Sequence, residues 1–106
     1  MLVATTNDLT GYRIVAHIGM VRGVTVRSRN VIADVGGAIQ SIFGGNISIY
    51  TKLAEAARQE AYDLLVAHAQ EAGANAIIAM RYDANEIMDG ITEVLAYGTA
   101  VRVEPL

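Results

Sequence analysis

A chain of 106 residues has the size of one domain, residues 1–106, and its 53% hydrophobic content and mean hydropathy of +0.34 exceed what a small soluble monomer needs. Net charge is -3 with no basic block, which excludes a nucleic-acid groove, and the absence of cysteine excludes disulfides, thiolate metal sites and a cysteine nucleophile. The longest uncharged stretch, Val35 to Thr51, holds four glycines besides Gln40 and Asn46 and is too short and polar to span a membrane.

Met1 to Thr6 reads as a short strand, stopped by Thr5-Thr6-Asn7-Asp8. No basic segment followed by an apolar core opens the chain, so no signal peptide is expected. Tyr12 to Arg27 reads as a long strand, with Tyr12, Ile14, Ala16, Ile18, Met20, Val24 and Val26 on one face. Arg22 interrupts that face, and Gly19 and Gly23 bracket it as signals of a bulge or bend. Asn30 is an N-cap for a helix to about Phe43, with Gly36-Gly37 at its middle and Gly44-Gly45 as its stop.

A longer helix is predicted from Ser48 to Ala72, ended by Gly73. Its apolar face contains Tyr50, Leu53, Ala54, Ala57, Ala61, Leu64, Leu65, His68 and Ala72. Two strands follow, Ala74 to Asp83 and Ile91 to Glu104, with Asp89-Gly90 as a hairpin signal and Asn85 to Met88 widening the loop. The last strand is apolar or small on both faces, yet one chain's helices cover one face of an antiparallel sheet. The other face is therefore expected to meet another subunit, or the strands to pair across subunits. The fold class is α+β, a two-layer α/β sandwich with helices packed on an antiparallel sheet.

The motifs Gly11-Tyr12-Arg13-Ile14, Gly23-Val24-Thr25-Val26-Arg27-Ser28-Arg29-Asn30, Gly44-Gly45 with Tyr50-Thr51, Ala57-Arg58-Gln59-Glu60-Ala61, Gly73-Ala74-Asn75-Ala76-Ile77 and Tyr97-Gly98-Thr99-Ala100-Val101 occur in order along nearly the whole chain. In them the chain resembles the YbjQ family of small bacterial and archaeal proteins, which carry a heavy-metal-binding label. The resemblance implies a dodecin-like subunit assembled as a ring-shaped homopentamer, with no catalytic residue set. Gln59 stands where the family often has an acidic residue, which weakens a carboxylate metal site there.

The weak metal candidates are His17 and His68. His17 is read on the strand face shared with Val15 and Val21, where an interface or core role outweighs a ligand role. His68 is read as a packed neutral imidazole with one hydrogen bond. Neither has a second histidine or a carboxylate at ligand spacing, so no metal is expected. Met20 and Met80 fall on core parity as gap fillers, and Met88, flanked by Glu86 and Asp89, is a lone thioether in a loop. Glu55, Arg58 and Glu60 read as surface ion pairs. Tyr62, Tyr82 and Tyr97 are aromatics that either fill core or line a pocket between subunits.

No catalytic residues and no cofactor are expected. The preferred reading is a cytoplasmic homo-oligomeric scaffold or binding protein with its ligand at subunit interfaces. The alternative is a heavy-metal-binding protein, and the weaker alternative is an enzyme with a composite inter-subunit site.

Overall fold

The computed structural model describes residues 1–28 and 48–106, with side chains from residue 51 in the second segment. The helix expected from Asn30 to Phe43, the Gly36-Gly37 and Gly44-Gly45 signals and the Tyr50 side chain lie outside the described residues. Four strands, β1 (Leu2–Val3), β2 (Tyr12–Ser28), β3 (Ala76–Met88) and β4 (Ile91–Pro105), accompany one described helix, α1 (Ser48–Glu71). The sheet runs β1-β3-β4-β2 and is mixed: β3, β4 and β2 are antiparallel neighbours, while β1 lies parallel to β3. The expected purely antiparallel sheet is corrected by that edge strand. Crossing from β1 to β3 passes through α1, so the chain returns in the direction it left.

Helix α1 runs as predicted to within one residue and stops at Gly73, whose φ of 88° is the left-handed conformation that a glycine stop supplies. Its packed face, however, is Ala57, Ala61, Leu65 and Ala69, with Tyr62 and Val66 beside it. Leu64 is 45% exposed, and Ala54, His68 and Ala72 are also exposed, so the expected apolar face is rotated. Against these alanines the sheet offers Val21, Ile77, Met80, Ala96 and Ala100.

A glycine sets how closely helix and sheet approach. A Cβ on Gly23 would sit well inside contact distance of the Ala61 carbonyl oxygen and the Leu65 amide nitrogen, and 2.9 Å from the Leu64 Cβ. Gly23 is therefore the seat of the helix backbone rather than part of a bend. Gly19 does lie at a bulge: the β2–β4 register slips between His17 and Gly19, and earlier between Ile14 and Ala16.

Those two slips change which residues share a face. Cross-strand partners lie on one face, and Ile14, His17, Met20, Val24 and Val26 face Val103, Val101, Thr99, Leu95 and Glu93 on the side away from α1. Val21, Gly23 and Thr25 face the helix and are buried. The face expected to be core is thus open along its second half: Met20 is 69% exposed and Val26 51%. His17 shares this open face instead of lying with Val21.

The hairpin is tighter than expected. β3 continues through Met88, which pairs with Ile91 across Asp89-Gly90, so Asn85 to Met88 are strand residues. Gly90 has φ 76°, and its amide donates to Glu86 Oε1 at 2.9 Å. A second irregularity separates Ile78 from Arg81, where Ala79 takes φ 53°. Here the N-terminal segment docks: the Ala79 amide donates to the Thr6 carbonyl at 2.8 Å, and the Met80 amide to Ala4 at 3.0 Å. The same segment carries Leu9 over Ala76, Ile78, Val101 and Val103, closing one end of the open face into a second small core with Ile14.

Candidate functional site

The uncovered part of the open face holds a concavity of about 500 Å³, lined by Met20, Arg22, Val24, Asp83, Glu93, Leu95 and Tyr97. The strand registers explain why these residues meet. Arg22, Tyr97 and Arg81 form one row across β2, β4 and β3; Val24, Leu95 and Asp83 form the next; Val26, Glu93 and Asn85 form the third. Alternate residues of a strand share a face, so successive rows stack two residues apart. Tyr97 stands between the two arginines of the first row, Val24 and Leu95 form the apolar floor beside Asp83 in the second, and Glu93 stands in the third.

Arg81 is held in the first row. Its guanidinium donates to the Thr5 and Met80 carbonyls, each at 2.8 Å. Arg22 has its backbone fixed from outside the sheet: its amide donates to His68 Nδ1 at 3.1 Å, and its carbonyl lies 3.3 Å from the same nitrogen. Among the described residues no ion pair is formed by Arg22, Asp83 or Glu93.

The candidate metal residues are not brought together. His17 is exposed on β2, and His68 reaches β2 at Arg22, five residues further on and roughly 15 Å along the strand. Among the described residues no three histidines and carboxylates are grouped for a metal ion. Met80 is buried in the core, Met20 is exposed against its expected core role, and Met88 is exposed at the hairpin end.

The remaining candidates divide between the two faces. Arg58 pairs with Glu55 at 3.2 Å along the helix, whereas Glu60 pairs with Arg27 on β2. Tyr62 and Tyr82 lie on the helix side. Burial first, then Tyr62, raises the Tyr82 phenol above its usual pKa; Glu55 and Asp63 add to this, and Arg58 opposes it. Tyr97 faces the opposite way, so the three tyrosines do not line one pocket. Asp83 and Glu93 are residues the sequence reading did not single out. Their signal lay in strand pairing, two carboxylates on adjacent strands one and two rows below Arg22, and depended on knowing where β3 ends.

Comparison with known proteins agrees with this architecture. A family model described as "Putative heavy-metal-binding" matches residues 1–104. The chain belongs to the YbjQ family. A UPF0145 protein of Chromobacterium violaceum is 57% identical over 105 residues, 99% of this chain and 90% of that one. One from Paraburkholderia phymatum is 59% identical over 101 residues, 95% of this chain and 91% of that one. A crystal structure of a protein of unknown function in the DUF74 family, from Pediococcus pentosaceus, superposes with a TM-score of 0.65 over 98% of both chains at 18% identity. That likeness speaks to the fold alone. No helix among the described residues is long and apolar enough to cross a membrane.

Proposed function

We propose that this YbjQ-family chain is a cytoplasmic homo-oligomeric binding protein, assembled as a dodecin-like ring pentamer, with its ligand held on the open sheet face beside subunit boundaries. The observation that carries the reading is the half-uncovered sheet. Met20, Val24 and Val26 are exposed on a face over which no second layer lies among the described residues, and exposed apolar surface of this kind marks association or ligand sites. Two strand edges support assembly. Among the described residues β2 has a strand neighbour on one side only, and so does β3 from Arg81 to Met88. Unprotected edges pair with other chains unless something blocks them, and among the described residues His68 caps the β2 edge at Arg22. A radius of gyration of 17.1 Å, where a compact domain of about 100 residues has about 13 Å, fits a subunit shaped for neighbours. The absence of cysteine suits a reducing compartment.

Light scattering at micromolar concentration tests the assembly. The expected mass is several times the 11.3 kDa subunit, and a monomer at all concentrations overturns the proposal. The metal reading draws on the family label, and symmetry is its route: His17 is exposed, and a ring would repeat it about the axis.

A further inference from the structure

The open-face concavity has a feature that assembly alone does not explain, namely its segregated charge. The cationic row places Arg22 and Arg81 on either side of Tyr97. The rows below place Asp83 on β3 and Glu93 on β4. Between them the floor is Val24 and Leu95, with Met20 beyond. With strands about 4.8 Å apart and about 3.4 Å per residue along a strand, the Cα atoms of Arg22 and Asp83 are separated by roughly 12 Å, and those of Asp83 and Glu93 by roughly 8 Å. An ammonium between the two carboxylates would reach both, while a carboxylate at the other end would meet the Arg22 fork.

We infer that the concavity binds a small zwitterion with an extended apolar body, its carboxylate on Arg22 and its ammonium between Asp83 and Glu93. This deepens the proposed binding role and rests on that reading. Three observations favour a small molecule over a second protein face. The surface is concave, and its volume of about 500 Å³ falls in the range of small-molecule sites, about 300–1,000 Å³. The charges of Arg22, Asp83 and Glu93 are left without ion-pair partners among the described residues. Opposite charges flank the apolar floor, Arg22 on β2 and the two carboxylates across it on β3 and β4, a pattern that recognises the two ends of one ligand and disfavours a singly charged one.

Calorimetric titration of the full chain with 8-aminooctanoate, octanoate and octylamine tests this. The zwitterion is expected to bind saturably and about tenfold more tightly than either singly charged probe. Arg22→Gln is expected to weaken 8-aminooctanoate and octanoate about tenfold and to spare octylamine. The double variant Asp83→Asn with Glu93→Gln is expected to weaken 8-aminooctanoate and octylamine and to spare octanoate. All three side chains line the surface, and a circular-dichroism melt of each variant shows that it remains folded. Equal affinity for the three probes, no saturable binding, or variants that affect all probes alike would overturn the inference. If Arg22→Gln instead lowers the assembled mass without a probe-selective effect, the face pairs with another copy and the ligand assignment falls while assembly stands. A monomeric wild type that binds the zwitterion selectively reverses that outcome.

Discussion

Gly23 is where the packing of this molecule is most exposed to a single atom. Substituting Gly23→Ala places a methyl group against the backbone of α1, at the Ala61 carbonyl and the Leu65 amide, with the Leu64 Cβ at 2.9 Å. Backbone atoms in a hydrogen-bonded helix cannot rotate aside as a side chain can. Restoring ordinary separations near 3.5 Å requires α1 to lift by more than about 1 Å, which loosens Ala57, Ala61, Leu65 and Ala69 together. Overpacking typically costs about 1–3 kcal/mol, and obstruction by backbone puts this substitution near the top of that range. About 3 kcal/mol is a large share of the ~5–15 kcal/mol that holds a domain together, and corresponds to a fall in Tm of roughly 15 °C. Thermal melts followed by circular dichroism measure it, with Gly98→Ala in parallel. At Gly98 the contacts are less close than at Gly23, with the Ile77 Cγ2 at 2.7 Å, the Ile78 carbonyl at 3.0 Å and the Met80 Cα at 3.3 Å. Gly98→Ala is therefore the milder change. A Gly23→Ala melt within about 2 °C of wild type would refute the claim that helix and sheet touch through that glycine.

Three further outcomes are open to measurement. Ala79 sits at φ 53°, a conformation that costs a non-glycine residue about 1–2 kcal/mol, while glycine loses about 0.5–1 kcal/mol of chain entropy; Ala79→Gly is expected to leave Tm unchanged or raise it a few degrees, and a clear drop would contradict the strain argument. Burial raises the Tyr82 phenol above 10.0, so the folded chain holds that proton to higher pH than the unfolded chain. The contribution is fully present below pH 10 and is lost as pH rises through the folded value; ultraviolet titration of Tyr82→Phe should lose one raised tyrosine ionisation present in the wild type, and a loss confined to an ordinary ionisation would dispose of the assignment. Elemental analysis of untagged, chelator-free protein is expected to find no stoichiometric transition metal, since a zinc site draws three or four ligands and the two histidines stand on different elements; one zinc, copper or nickel per subunit surviving dialysis would reverse this, and a shared site would then fail in His17→Ala.

The elements of the described segments were largely legible, and the faces were not, for one physical reason. Helix α1 declared itself through its periodicity and Gly73, and the hairpin through Asp89-Gly90. Face assignment relied on hydrophobic bulk, which pointed to Met20, Val24 and Val26 on β2 and Leu64 on α1. The structure buries Val21, Gly23 and Thr25 on β2 and Ala57, Ala61 and Ala69 on the helix. A helix that seats its backbone on a glycine requires small residues where the two backbones meet, so Ala57, Ala61 and Ala69 lie at that contact and Leu65, Ile77 and Met80 fill the core around it. The bulges at Ile14/Ala16 and His17/Gly19 then broke the parity count at a point that only strand pairing shows.

The same exchange of large for small residues bears on function. A chain that needed only to fold alone would keep Met20 and Val26 covered, since each carries apolar area from which removal of water is favourable. Here the helix-side contacts combine alanine and glycine with Val21, Leu65, Ile77 and Met80, and Met20, Val24 and Val26 are left on the open face together with Arg22, Asp83 and Glu93. Apolar floor and unpaired charge occur on that one surface. A surface serving solubility alone would carry the charges without the floor, and one serving self-association alone has no use for a concavity polarised across its floor. Among the described residues the open face, rather than either histidine, is thus where apolar surface and unpaired charge coincide.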